Sequence, residues 1–222
     1  MPIRLDERLT EIARLAAGAH TVCDVGSDHG KLACYLVQTG GAERAIATDI
    51  SAPSLKKAEV LAEKLGIDDL VETRVGDGLD PVGAEEADVA VIAGMGGDLI
   101  ARILERAHAQ GKRFRRLVLA PNTHAERVRE TLWRTGHTET ADRTVACGGK
   151  RYTVIAAEQG DAPEHTAEEL AFGRSFRADA AFVAAAKEEL GALERALADN
   201  PSAEKLAARA EMLKKALEEC EI

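Results

Sequence analysis

Short runs of apolar residues alternate with amphipathic stretches along the first two thirds of the chain. Five segments have the length and pattern of strands, namely residues 21–25, 44–50, 71–75, 87–93 and 117–120. Helical periodicity accompanies them, first in the spacing of Leu5, Leu9, Ile12 and Ala16, and later over residues 98–109 and 124–134. Strands that alternate with helices through short connections predict a doubly wound α/β sheet.

The pattern changes after Gly136. Residues 138–146 and 152–157 are two further β-like segments, joined through Gly148-Gly149. A two-glycine connection is typical of a hairpin and not of a helical crossover. The chain therefore predicts a seven-stranded sheet whose last two strands form an antiparallel hairpin.

The region past Gly160 is rich in Ala, Glu, Lys and Leu and carries two heptad-like apolar stripes. They comprise Phe182, Ala186, Leu190, Leu193 and Leu197, and then Leu206, Ala210, Leu213, Leu217 and Cys220. Asn200-Pro201 separates them, so we expect an antiparallel helical (coiled-coil) hairpin. The chain then divides into an α/β domain, residues 1–159, and a helical domain, residues 160–222. The stripes leave open whether the hairpin binds or orients a partner, or mediates oligomerisation.

A glycine turn lies between the first strand and the helix after it. Asp24-Val25-Gly26-Ser27-Asp28-His29-Gly30 places glycines where backbone amides and a helix N-terminus can approach a nucleotide-like ligand. A pyrophosphate disfavours carboxylates in such a turn, whereas a ligand with a free ammonium, such as S-adenosylmethionine, favours Asp24 and Asp28. The turn alone is compatible with a dinucleotide site, a methyl-donor site or a purely structural turn.

Two more acids follow the next two strands. Asp49 ends the second strand pattern, 23 positions after Gly26, where a carboxylate can accept hydrogen bonds from both ribose hydroxyls. Asp77 lies in Gly76-Asp77-Gly78, directly after the third strand, and can accept from an adenine amino group. Carboxyl ends of parallel strands meet at the edge where open α/β sheets bind ligands. The three acids together favour a methyl-donor site.

Composition sets broad limits on the class of protein. The chain has 222 residues, of which 45% are apolar but only 3% aromatic, so Ala, Val, Leu and Ile must build the core. Its four cysteines have no zinc-like spacing, and its six histidines form no ligand pair at helical spacing, so we expect no metal site and a reduced, cytoplasmic location. We expect neither a leader nor a membrane segment, because no apolar run is long enough.

Charge is distributed unevenly along the chain. Residues 101–155 carry 12 basic and 5 acidic residues, whereas the whole chain has a net charge of −9. Four of these basic residues, Lys112, Arg113, Arg115 and Arg116, precede the fifth strand, and Arg127 follows it. Such a cluster matches what a phosphate backbone requires and predicts an RNA-binding surface. A solvated face that balances the acidic ends of the chain is the alternative.

Several motifs together resemble the bacterial tRNA (adenine(22)-N1)-methyltransferases. The resemblance covers most of the chain and rests on Arg4-Leu5 and Arg8-Leu9, Gly26-Ser27-Asp28-His29, Gly76-Asp77-Gly78-Leu79, Ala93-Gly94-Met95-Gly96-Gly97, Pro121-Asn122, Leu132-Trp133 and Lys150-x-Tyr152. It implies a Rossmann-like class I methyltransferase sheet with a C-terminal coiled coil, and methylation of N1 of an adenine in the D-arm region of tRNA with S-adenosylmethionine. Ala146-Cys147-Gly148-Gly149 and Gly30-Lys31 depart from the family pattern.

The resemblance and the motifs together give a set of expected site residues. Those expected to bind the cofactor are Asp24, Gly26, Asp28, His29, Asp49, Ile50, Asp77, Gly78, Gly94, Met95 and Gly96. Those expected to contact tRNA are Arg4, Arg8, Lys112, Arg113, Arg115, Arg116 and Arg127. We expect a monomer or a weak homodimer.

The expected reaction needs little acid–base chemistry, because N1 of adenine has a free lone pair. The Gly94–Gly97 loop leaves room for a base plane but offers no side-chain acceptor, so Asp28 and Asn122 are the catalytic candidates. Each also has a structural explanation, as a turn-capping Asp and a strand-terminating Pro-Asn. Three other functions stay open: a class I methyltransferase of another RNA, a protein or a metabolite, a nicotinamide-dependent oxidoreductase, or a non-catalytic RNA-binding protein.

Overall fold

The computed structural model describes residues 3–161 and 163–220. Its strands are β1 (Ala19–Val25), β2 (Ala42–Asp49), β3 (Val71–Val75), β4 (Val89–Ala93), β5 (Arg116–Ala120), β6 (His137–Cys147) and β7 (Lys150–Gln159). Its α-helices are α1 (Glu7–Ala16), α2 (Lys31–Gln38), α3 (Ala52–Leu65), α4 (Gly97–Ala109), α5 (Ala125–Arg134), α6 (Ala167–Phe172), α7 (Ala180–Asp199) and α8 (Glu204–Cys220). A 3₁₀ turn (Phe176–Ala178) lies between α6 and α7.

The seven strands form one sheet in the order β3-β2-β1-β4-β5-β7-β6. The first five are parallel, whereas β7 is antiparallel to both β5 and β6. Gly148 and Gly149 both have positive φ, as the tight β6–β7 turn requires. The expected Rossmann-like sheet with a terminal hairpin is confirmed. Its strand order reverses between β1 and β4, and this is where a ligand crevice opens in such sheets.

The inner parallel strands β1, β2, β4 and β5 are largely buried on both faces, which explains their apolar runs, whereas the edge strand β3 leaves Glu72 and Val75 exposed. Side chains such as Val22, Ala45 and Val89 point to the face that α1, α2 and α3 cover. Their neighbours, such as Cys23 and Ile92, point to the face covered by α4 and α5. The core is built largely from small aliphatic residues, as the composition predicts.

The C-terminal helices form the expected hairpin and have a core of their own. Phe176, Phe182, Leu213 and Leu217 are buried there. The rings of Phe172, Phe176 and Phe182 pack edge-on or tilted, with centroids 5.0 to 6.0 Å apart. The sequence did not predict α6 or the 3₁₀ turn, because both are too short to show a helical repeat.

A buried ion pair connects the helical segment to the sheet. Arg129 on α5 donates to Asp142 on β6 at 2.7 and 3.1 Å, and both side chains are at most 4% exposed. The same guanidinium donates to the Leu170 carbonyl on α6 at 2.7 Å. One arginine therefore holds three elements together.

We expect Arg129→Ala to lower the free energy of unfolding by about 3–5 kcal/mol, because it leaves the Asp142 carboxylate buried without its partner. Urea denaturation measures this loss. The control is Arg134→Ala on the same helix, whose exposed pair with Glu105 should contribute less than about 1 kcal/mol. Equal losses in the two variants would contradict the role given to Arg129.

Candidate active site

Two adjoining cavities lie at the carboxyl edge of the parallel strands. The larger, of about 310 Å³, is lined by residues at the ends of β1 to β4, including Asp49, Ile50, Asp77, Gly78 and Met95. The smaller, of about 190 Å³, is lined by Arg8, Asp24, Ser27, Asp28, His29 and Lys31 among others. Gly26 and Ala93 line both cavities. The glycine turn and the three predicted acids therefore border one crevice.

The larger cavity combines the carboxylates of Asp49 and Asp77 with apolar walls. Asp49 Oδ2 accepts from the Asp28 amide at 3.1 Å, and Oδ1 accepts from the Ser51 amide at 2.8 Å. Each carboxylate oxygen retains a free lone pair, so Asp49 can still accept from two hydroxyls. Ile50 is 76% exposed and Leu99 37%, and these large apolar side chains at the cavity give a planar ring two surfaces to pack against.

Asp77 borders the same cavity, but an arginine engages its carboxylate. Arg106 on α4 donates to Asp77 Oδ2 at 2.9 Å and to the Asp77 carbonyl at 2.9 Å. This guanidinium lowers the pKa of Asp77. Asp77 is thus held as a carboxylate, and Arg106 fixes the loop that carries Gly78.

The smaller cavity contains a buried carboxyl group. Asp24 accepts from Ser27 Oγ at 2.6 Å and is only 5% exposed. Burial raises the pKa of Asp24 from 3.8 to about 6, and the nearby Asp49 charge adds to the shift. A cationic group bound in this cavity would stabilise the ionised form.

We therefore expect the affinity for S-adenosylmethionine to rise as the pH increases through about 6. The same titration affects folding. The pKa of Asp24 is higher in the folded protein than in the unfolded chain, so the contribution of its neutral form to the free energy of unfolding is present below about pH 4 and is lost as the pH rises through about 6. The ligand's ammonium needs the ionised form. Calorimetry from pH 5 to 7.5 measures the dependence, which should flatten in Asp24→Asn. An unchanged profile in that variant would exclude Asp24 as the titrating group.

Asp28 is held in an unusual conformation beside this cavity. Its φ of 51° is left-handed, which Asp tolerates better than most residues. Asp28 Oδ2 lies 3.0 Å from His29 Nδ1, and Lys57 Nζ lies 2.8 Å from His29 Nε2. Lys57 can only donate, so Nε2 accepts and Nδ1–H donates to Asp28. The sequence reasoning missed Lys57 because it lies on α3, far from the turn along the chain.

The loops after β4 and β5 brace each other. Asn122 Nδ2 donates to the Gly94 carbonyl at 2.7 Å, and the Asn122 amide donates to the Met95 carbonyl at 2.8 Å. The side-chain Oδ1 therefore remains as an acceptor on an exposed residue. Asn122 holds the glycine loop in place and still offers an oxygen beside it.

Gly97 is a further position at this junction that sequence reasoning missed. A Cβ there would lie 2.1 Å from the His124 carbonyl, so only glycine allows the two loops to pack this closely. His124 has a φ of 52°, and its Nδ1 lies 2.6 Å from Asp98 Oδ2. Asp98 raises the pKa of His124. The Gly96-Gly97 pair was the available signal for this close approach.

The residues expected to bind tRNA do not lie together. Lys112, Arg113, Arg115 and Arg116 precede or begin β5, at the amino edge of the parallel strands and opposite the crevice. All four make contacts within the chain. Lys112 donates to backbone carbonyls, Arg115 pairs with Asp88, and Arg116 pairs with Glu158. Arg113 donates to the Lys112 carbonyl. Their RNA-binding role stays a prediction.

The other expected RNA contacts lie nearer the crevice. Arg127 is in the first turn of α5 and pairs with Asp98 and Glu130. Arg8 lines the smaller cavity, and its guanidinium carbon lies 5.1 Å from the centre of the Tyr152 ring. Arg4 is exposed just before α1. Arg8 is thus placed where it can contact a ligand of the smaller cavity.

Residues 3–161 and 163–220 contain no group of three His, Cys, Asp or Glu side chains that could hold a metal ion. Within the same described ranges, no helix is both long and apolar enough to span a membrane.

The polar side chains in the crevice fit S-adenosylmethionine. Asp24 and Asp28 suit its ammonium, Arg8 suits its carboxylate, and Asp49 suits the ribose hydroxyls. Gly26 permits the close approach of backbone, because its left-handed φ of 69° carries no Cβ. The groups that line the smaller cavity suit the amino-acid part of such a ligand, and those that line the larger cavity suit its nucleoside part.

Comparison with known proteins identifies the family. The family model described as "Methyltransferase domain" matches residues 5–155. The chain is 38% identical over 159 residues to the tRNA (adenine(22)-N(1))-methyltransferase of Bacillus subtilis, covering 72% of this chain and 67% of that protein. The crystal structure of the B. subtilis M1A22 tRNA methyltransferase TrmK superposes with a TM-score of 0.84 at 31% identity, covering 97% of this chain and 99% of that one.

A second solved structure bears on the cofactor. Streptococcus pneumoniae Sp1610, solved in complex with S-adenosyl-L-methionine, superposes with a TM-score of 0.85 at 30% identity, covering 96% of this chain and all of that one. These similarities point to a methyltransferase, as do the glycine turn and the carboxylates along the crevice. The protein belongs to the tRNA (adenine(22)-N1)-methyltransferase family.

Proposed function

We propose that this protein transfers the methyl group of S-adenosylmethionine to N1 of adenine 22 in tRNA. The observation that carries the proposal is the two-part crevice, in which carboxylates suited to an ammonium and a ribose adjoin a glycine loop open to a base. The curated relative from B. subtilis acts on this nucleotide according to its name.

The chain's own residues hold the cofactor in this proposal. Asp24 and Asp28 accept from its ammonium, Arg8 pairs with its carboxylate, and Asp49 accepts from the ribose hydroxyls. Ile50 and Leu99 cover the adenine ring. When bound, the cofactor supplies an electrophilic methyl group, so the protein's task is to orient the attacking nitrogen and to exclude water.

Asn122 is proposed as the residue that orients the target adenine. Its Nδ2 is already engaged with the Gly94 carbonyl, so its Oδ1 is left as an acceptor on an exposed residue. An adenine methylated at N1 becomes cationic, and its exocyclic N–H groups become stronger donors. A hydrogen bond to Oδ1 would therefore strengthen as the reaction proceeds. No general base is needed at N1.

We also propose a division of the chain into two domains, an oligomeric state and a location in the cell. Residues 1–159 form the catalytic domain, and residues 160–222 form a helical domain that contacts tRNA. The apolar seam of α7 and α8 is filled within the chain, by Phe182 and Leu213 among others, which favours a monomer over a stable dimer. A tRNA substrate favours a cytoplasmic location.

The test is methylation of unmodified tRNA transcripts by the purified protein. We expect 1-methyladenosine at position 22, detected by mass spectrometry and by arrest of reverse transcription, and no product when position 22 is guanine. Methylation at another nucleotide, or only of a protein or a metabolite, would contradict the proposed substrate and identify a different one. Tight tRNA binding without any transfer would support the non-catalytic alternative.

A further inference from the structure

Met95 lies between the two halves of the cofactor crevice. Its side chain lines the larger cavity, and its terminal methyl packs against Gly26, which borders both cavities. The contact is so close that a Cβ at Gly26 would lie 2.3 Å from Met95 Cε. A ligand that joins a nucleoside to an amino acid would span both cavities along Gly26 and so run past this methyl group.

The backbone at Met95 is fixed, but its side chain is able to move. Its carbonyl accepts from the Asn122 amide at 2.8 Å, which anchors the loop. Gly94 and Gly96 on either side carry no side chains that could confine it. Methionine is unbranched, has three rotatable bonds, and is only half-buried here. A change of rotamer therefore needs no rearrangement of the loop.

We infer that Met95 is a gate over Gly26, which closes the passage between the two cavities and withdraws when S-adenosylmethionine or S-adenosylhomocysteine binds. The inference rests on the proposed cofactor but not on the proposed tRNA target. A ligand that spans both cavities must pass the gate, whereas adenosine, which would fill the larger cavity alone, touches Met95 only as part of the wall and does not need the passage. Only the fraction of molecules with the gate open binds the spanning ligand directly.

The test compares Met95→Ala with the wild type for two ligands, by surface plasmon resonance on immobilised full-length protein. We expect the association rate of S-adenosylhomocysteine to rise about fivefold or more, because the open fraction increases. The association rate of adenosine should stay within about twofold. Met95→Ile, whose branched side chain is stiff, should slow S-adenosylhomocysteine but not adenosine.

Leu99→Ala is the matched control. Leu99 lines the larger cavity, as Met95 does, but none of its atoms would lie within 4 Å of a Cβ at Gly26. It should change the binding of both ligands by a similar factor. If Met95→Ala also affects both ligands equally, Met95 is only a wall of the pocket and the gate is excluded. If the wild type binds adenosine but not S-adenosylhomocysteine or S-adenosylmethionine, the cofactor proposal itself fails.

Discussion

Asp49→Asn is expected to weaken S-adenosylmethionine binding by more than about tenfold while the protein stays folded. Hydrogen bonds to a charged group contribute about 1.5–3 kcal/mol, and two ribose hydroxyls would share this carboxylate. The substitution is nearly isosteric but replaces one acceptor oxygen by a donor. That donor would face either the Asp28 or the Ser51 amide, so the turn loses one of its two bonds to Asp49. Isothermal titration measures the affinity, and a thermal melt confirms folding.

The control for Asp49 is Asp80→Asn. Asp80 lies in the segment that follows β3, and its Oδ1 is 2.9 Å from Arg106 Nε, but it does not line the larger cavity. Its substitution should leave cofactor affinity within about twofold, as expected for an exposed pair. Wild-type affinity in Asp49→Asn would remove this carboxylate from the proposed site.

The sheet and its crevice were predictable because their signals are local. Each buried strand shows as a short apolar run, and the Gly26 turn directly joins a strand to a helix. Asp49 ends β2, so the strand pattern alone places it at the carboxyl edge. The ends of the strands were not predictable from local signals. β7 extends from Lys150 to Gln159 although its apolar signal covers only residues 152–157, because backbone pairing with β6 continues past the apolar residues.

The placement of charges was not predictable, because ion pairs join residues distant in the sequence. Arg115 and Asp88 are 27 positions apart, and Arg116 and Glu158 are 42 apart. The basic middle of the chain is therefore partly neutralised by carboxylates from its acidic neighbours. Arg8 shows the same limit, since its cation–π partner Tyr152 lies on β7 and its place in the smaller cavity appears only once the sheet has formed.

The surface that binds tRNA can be located by comparing charge-matched variants. Lys31 and Lys57 lie on the crevice side, where Lys31 lines the smaller cavity and Lys57 contacts His29. Lys112 and Arg113 lie at the opposite edge. We expect Lys31→Gln with Lys57→Gln to weaken tRNA binding and to reduce the slope of log K against log salt by about 1.4–1.8, because each of the two lost phosphate contacts removes about 0.7–0.9.

The matched variant, Lys112→Gln with Arg113→Gln, removes the same charge and should keep the wild-type slope, because neither residue faces the crevice where the target base must enter. Filter binding at several salt concentrations measures both, and cofactor affinity is titrated separately. A flattened slope only in the Lys112 and Arg113 variant would restore the cluster predicted from the sequence as the RNA-binding surface. A flattened slope only in a third variant, Lys205→Gln with Lys214→Gln on α8, would assign that surface to the helical hairpin. Either result would contradict a crevice-side surface, whereas a flattened slope in both the crevice variant and the α8 variant would agree with the proposed contact between the helical domain and tRNA. Two cations are removed in every variant, so only their position differs.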